Sequence, residues 1–126
     1  MSDSRFPKQM RLLRPTDFER VFAARNSAAC PGFTLYGAAN DAGHPRIGLT
    51  VSRRVGNAVE RNRWKRRIRE SFRLTQTKLP ALDFICIARS PAPPSLESLM
   101  GGLVELARRI ERRLQNANRN SERRSQ

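Results

Sequence analysis

Apolar residues along this chain recur at two periods, and the places where the period changes divide it into elements. In "LRPTDFERVFAAR", Phe18, Val21, Phe22 and Arg25 stand at i, i+3, i+4 and i+7, the spacing of one helix face. Thr16 followed by Glu19 has the form of a capping box and predicts a helix entered at Thr16. "NSAACPG" reads as a loop containing one short edge strand that Pro31 stops. "FTLYGAA" and "RIGLTVS" alternate instead. Phe33 and Leu35 oppose Thr34 and Tyr36, while Ile47, Leu49 and Val51 oppose Gly48, Thr50 and Ser52. Separated by the turn-forming "NDAGHP", these two runs are expected to pair as an antiparallel hairpin, with Tyr36, Thr50 and Ser52 on a shared polar face.

A second helix is predicted from about Ala58 to Leu74, entered through Asn57 as N-cap with Glu60 at the N3 position. Trp64, Ile68 and Phe72, spaced by four, form the stripe that should rest on the sheet, and Pro80 bars continuation. "DFICIARS" is a strand apolar on both sides, Phe84, Cys86 and Ala88 opposing Ile85 and Ile87. In the final helix Leu96, Leu99, Leu103, Leu106, Ile110 and Leu114 recur at three and four, with Gly101 and Gly102 weakening its middle by about 1 kcal/mol each. The order predicts an α+β sandwich in which helices cover a small mixed sheet. We expect one domain over residues 11–115, a flexible arm at 1–10 and a disordered basic tail at 116–126, where no apolar residue is larger than alanine.

Charge changes the picture. Lys and Arg outnumber Asp and Glu by 25 to 11, a net charge of +14. Such a surface repels itself and attracts polyanions, with nucleic acid the first candidate and an anionic membrane the second. No apolar run is long enough to span a bilayer, and the N-terminus lacks a signal-peptide core. Two cysteines do not make a disulfide framework; Cys86 reads as a buried small hydrophobe, and a reducing cytoplasm is the expected compartment.

Much of the excess lies in the second helix, where seven of the thirteen residues from Arg61 to Arg73 are Lys or Arg and only Glu70 opposes them. On a helical wheel Asn62, Arg66, Arg69 and Arg73 lie opposite the apolar stripe, Arg63 and Arg67 on its flank, and Arg61 and Lys65 beside it. A merely solvated helix face mixes signs to gain i,i+4 pairs. Here Arg61–Lys65, Arg63–Arg67, Lys65–Arg69 and Arg69–Arg73 are four like-charged pairs, together costing up to about 2 kcal/mol. A polyphosphate partner reverses that cost by releasing counterions. The preference for Arg fits bidentate phosphate binding and base stacking. A helix held to a sheet by three large side chains is not free to enter a DNA groove, and its broad basic face suits folded RNA. It leaves no wide apolar face for lipid.

"GLTVSRRVGNAVERNRWKRRIRESF", with Arg61, Asn62 and Arg63 at its centre, resembles the signature of the bacterial ribonuclease P protein component. The similarity extends through "FPKQMRLLRPTDFERVF" and "DFICIARSPA", covering about Phe6 to Ala92. Trp64, where smaller aliphatics are common, and the nearly all-arginine basic set depart from the pattern. The resemblance implies an αβββαβα order of the ribosomal protein S5 domain 2-like kind with a left-handed βαβ crossover. It implies a 1:1 partnership with the catalytic RNA of ribonuclease P, and removal of the 5′ leader from precursor tRNA. It places the RNA subunit against the basic helix, at Arg61, Asn62, Arg63, Lys65, Arg66, Arg67, Arg69 and Arg73. It also implies a leader groove between the first helix and the sheet, at Phe18, Phe22, Tyr36, Thr50, Arg53, Arg54 and Ala88.

Read without the resemblance, Phe18 and Phe22 are better explained as ordinary core packing, although aromatic platforms beside cations are what single strands bind; the resemblance reverses that preference. Asp17, Asp41, Glu60, Glu70 and Asp83 are scattered, whereas two-metal hydrolysis needs carboxylates converging on shared ions. His44, in a turn beside Pro45, has no evident partner acid. We therefore expect no catalytic residue and no metal or other cofactor held by the protein, with Mg²⁺ required through the RNA. A structural RNA-binding protein, such as a ribosomal component, is the competing class; neither DNA nor membrane is expected as a partner.

Overall fold

The computed structural model describes residues 7–124, so the loose ends expected at 1–6 and 125–126 lie outside it. The element order is α1 (Pro15–Ala23), β1 (Ser27–Cys30), β2 (Phe33–Ala39), β3 (Arg46–Thr50), α2 (Ala58–Thr75), β4 (Leu82–Ala88) and α3 (Leu96–Arg124). Short 3-10 turns at Lys8–Met10 and Gln76–Lys78 precede α1 and follow α2. The strands form one mixed sheet in the order β1-β2-β4-β3, with β3 parallel to β4 and the other neighbours antiparallel.

The antiparallel hairpin expected between β2 and β3 is not formed, because β4 lies between them. Two-sided hydrophobicity explains this. Phe84, Cys86 and Ala88 are buried on one face of β4 and Ile85 on the other, so β4 takes an inner position. β3, whose second face carries Arg46, Gly48 and Thr50, goes to the edge, and β3, α2 and β4 make a parallel crossover.

The sheet therefore has two covered faces. On one, α2 and α3 lay Trp64, Ile68, Phe72, Leu99, Leu103 and Ile110 over Phe33, Leu35, Ile47, Phe84 and Cys86. The Trp64 indole N–H donates to the Ser90 carbonyl at 2.8 Å, so the largest core side chain leaves no unsatisfied donor. Gly37 is what allows α3 to come this close, since a Cβ there would meet the Ile110 Cγ2 at 2.7 Å. On the other face α1 sets Val21 over Ala38 and Ile85, with Phe18 and Tyr36 at the margin.

Helix entry follows the sequence for α2 but not for α1. Asn57 and Glu60 make the reciprocal capping box, with Glu60 N–H to Asn57 Oδ1 at 3.0 Å. The box expected from Thr16 and Glu19 is absent. Pro15 opens α1 one residue earlier, which places Thr16 inside the helix, and Asp17 of the first turn pairs with Arg14 at 3.3 Å. Regular structure also reaches further than expected at both ends. Met10 is buried within the stretch read as a flexible arm. α3 runs to Arg124 through the stretch read as a disordered tail, which contains neither Pro nor Gly to stop it.

Candidate nucleic-acid interface

Burying Trp64, Ile68 and Phe72 turns the opposite side of α2 outward, so Asn62, Arg63 and Arg66 are exposed. Arg61, Lys65 and Arg69 are half-buried along the helix flank. Lys65 and Arg69 share a cleft of about 290 Å³ with Arg11, Leu13 and Phe18. Partial burial, with the Arg11 charge nearby, lowers the Arg69 pKa, and a cleft lined by Arg11, Lys65 and Arg69 with no carboxylate favours an anion. The Arg61 Nε is buried with no hydrogen-bond partner among the described residues. The remaining two predicted contacts are already engaged. Arg67 donates to the Pro94 carbonyl at 2.9 Å, tying α2 to the segment that leads into α3. Arg73 grips Glu70 through two bonds of 2.5 and 3.1 Å, and this pairing lowers the Glu70 pKa.

The predicted groove lies across the other sheet face. Strand register aligns Tyr36, Ile85 and Gly48 in one row and Thr34, Ile87 and Thr50 in the next. α1 reaches the first row. Phe18 sits so close over Gly48 that a Cβ there would be 2.5 Å from the ring, and Phe22 meets Tyr36 edge-on at 5.0 Å between centroids. Phe22 is 36% exposed and Phe18 half-buried, so neither is spent entirely on the core. The second row is half-buried and open beside α1. Arg53 and Arg54 are exposed in the turn after β3, at the Thr50 end of that row.

Ala88 does not belong to this groove. It pairs with Phe33, is 5% exposed and faces the α2–α3 core. Strand alternation puts Ile87 there instead. Thr34 and Arg89, whose Nε donates to Thr34 Oγ1 at 3.3 Å, complete the edge and were missed. The signal for Ile87 and Thr34 was present, since the same alternation sets Ile87 against Ala88 and Thr34 beside Tyr36. For Arg89 there was none.

Several carboxylates have structural roles: Asp83 with Arg20 and Arg46, Asp17 with Arg14 and Arg20, Glu60 at the α2 cap, and Glu105 with Arg109. Among the described residues no group of three or more His, Cys, Asp or Glu could hold a metal ion. His44 Nδ1 lies 3.1 Å from the Pro45 carbonyl oxygen.

Comparison with known proteins agrees with this architecture. Residues 6–111 match the family model described as Ribonuclease P. The ribonuclease P protein component of Serratia proteamaculans is 53% identical over 85 residues, spanning 67% of this chain and 71% of that protein. The Escherichia coli K12 component is 52% identical over the same length. Among solved structures, the Staphylococcus aureus RNase P protein superposes with a TM-score of 0.67 at 35% identity, over 77% of this chain and 91% of that one. The Thermotoga maritima RNase P protein gives 0.70 at 28% identity, over 79% and 96%. A basic helix on one side of the sheet, an aromatic groove on the other and these similarities converge: the chain belongs to the ribonuclease P protein component family, the protein part of a tRNA-processing ribonucleoprotein.

Proposed function

We propose that this chain binds the catalytic RNA of ribonuclease P through the outer face of α2, and the single-stranded 5′ leader of precursor tRNA in the groove between α1 and the sheet. The observation that carries the reading is the separation of these surfaces. Exposed arginines of α2 lie on one side of the sheet and part-exposed aromatics on the other, the two meeting at the β3 edge where Lys65, Arg69 and Phe18 share a cleft, so one domain can hold two RNA strands at once. Guanidiniums along α2 neutralise phosphates of a folded RNA. Phe18, Phe22 and Tyr36 offer ring faces and edges to unstacked bases, while Thr34, Thr50 and Arg89 offer polar contacts. The protein's share of leader hydrolysis is binding and positioning. Mg²⁺ and the attacking water belong to the RNA, in a 1:1 complex working in the cytoplasm as an endoribonuclease.

Reconstitution tests this. Mixed with a bacterial ribonuclease P RNA at low Mg²⁺, the chain should restore leader removal. Phe18→Ala and Tyr36→Ala should each weaken precursor tRNA binding by about 1–3 kcal/mol while sparing mature tRNA. His44→Ala should leave turnover unchanged. Equal losses on precursor and mature tRNA would instead indicate an RNA-binding protein without a leader site, and cleavage by the polypeptide alone would refute the division of labour.

A further inference from the structure

The geometry points to a second contact with the catalytic RNA, made by the C-terminal half of α3; this rests on the reading of α2 given above. α3 has 29 residues, but its buried face ends at Ile110, with Leu114 half-buried after it. From Gln115 to Asn120 every residue is exposed, and the helix continues to Arg124, about 15 Å beyond Leu114. Between Arg108 and Arg124 stand seven arginines against two glutamates.

The charge is arranged as on α2. Arg108–Arg112, Arg109–Arg113 and Arg119–Arg123 are like-charged i,i+4 pairs, each of which weakens an isolated helix. Two of these arginines have structural work: Arg109 pairs with Glu105 at 2.6 Å, and Arg113 donates to the Ser27 carbonyl. Arg108, Arg112 and Arg119 point outward with no acidic partner among the described residues. Arg108 and Arg112, with Lys78, border a trough of about 930 Å³ between α3 and the end of α2, floored in part by Met100 and Val104. Glu105 and Glu111 also line it, so the net positive charge grows from the trough toward the end of the helix.

Position selects the partner. Trp64 and Arg67, early in α2, bond to Ser90 and Pro94 just ahead of α3, whereas Thr75 and Lys78 meet α3 between Met100 and Arg112. The two helices therefore run side by side in the same direction on one face of the sheet. The leader groove lies on the opposite face. An RNA seated on Arg63 and Arg66 needs to extend only about 18 Å along α2, the rise from Arg63 to Thr75, to meet Arg112. A large folded RNA spans that distance, and two contacts on one rigid body reinforce each other.

The test measures binding of the full chain to ribonuclease P RNA over a series of KCl concentrations. Arg108→Gln, Arg112→Gln and Arg119→Gln are combined, Arg63→Gln and Arg66→Gln form a second variant, and circular dichroism checks the fold of both. The α3 variant should bind more weakly, its salt slope reduced by about 2–3, close to 0.7–0.9 for each arginine removed. Leader affinity of the saturated holoenzyme should not change. An unaltered slope for the α3 variant alongside a reduced one for the α2 variant would overturn this contact and leave the α2 interface standing. Unaltered slopes for both folded variants would overturn the α2 reading and this contact together. A loss confined to leader affinity would overturn the choice of partner.

Discussion

At the scale of single residues, Asp83 decides how α1 meets the sheet. Its side chain is fully buried, accepts bonds of 2.7 Å from Arg46 Nε and Nη2 and 2.8 Å from Asn40, and is also gripped by Arg20 of α1. Burial pushes its carboxyl pKa up, but the bonds from Arg46, Asn40 and Arg20 outweigh burial and hold it below the usual carboxylate range. Because the folded pKa is the depressed one, the stabilisation is complete above the unfolded value of about 3.9 and is lost as pH falls through the folded value. Urea midpoints should therefore drop in that acid window, and Asp83→Asn should flatten the drop. Asp83→Ala should cost about 1–3 kcal/mol at neutral pH, because it removes the acceptor that Arg46, Asn40 and Arg20 share. Gly48 is the second decisive residue. Gly48→Ala drives a methyl into the Phe18 ring, and denaturation should show a loss of about 1–3 kcal/mol together with weaker leader binding.

At the scale of elements, α2 combines two kinds of arginine that mutation should separate. Arg63→Ala and Arg66→Ala remove exposed charge from a crowded helix. Thermal melts should show unchanged or slightly higher stability, while RNA binding weakens. Arg67→Ala removes a bond to the α3 lead-in, and the same melts should show a loss of about 1 kcal/mol. Sequence made α2 legible because its cap, its apolar stripe and its charge are all local. The sheet was less so. Alternation identified the strands, but the insertion of β4 between β2 and β3 is a long-range choice, visible beforehand only as apolar residues on both sides of Phe84–Ala88. The resemblance implies Ala88 in the groove, but alternation along β4 turns Ala88 to the α2–α3 core and Ile87 to the groove. The engagement of Arg67 and Arg73 was hidden for another reason: a wheel shows direction but not the neighbour that waits there.

At the scale of the whole molecule, a net charge of +14 on 126 residues means that salt acts on folding and on RNA binding with opposite signs. Screening relieves self-repulsion, so the melting temperature should rise between about 10 and 150 mM KCl, as the Debye length falls from about 30 to 8 Å. RNA affinity should fall over the same range. Calorimetry and filter binding on one preparation check both trends.

The central strand also sets the order of events during synthesis. Every hydrogen bond linking the β1–β2 half of the sheet to β3 runs through residues 82–88, which leave the ribosome after the arginine-rich helix has emerged. Until then Trp64, Ile68 and Phe72 have no completed floor to rest on. A nascent chain halted before Leu82 carries its guanidiniums on a segment without a fixed orientation, so it can attract RNA by charge but cannot select one by shape.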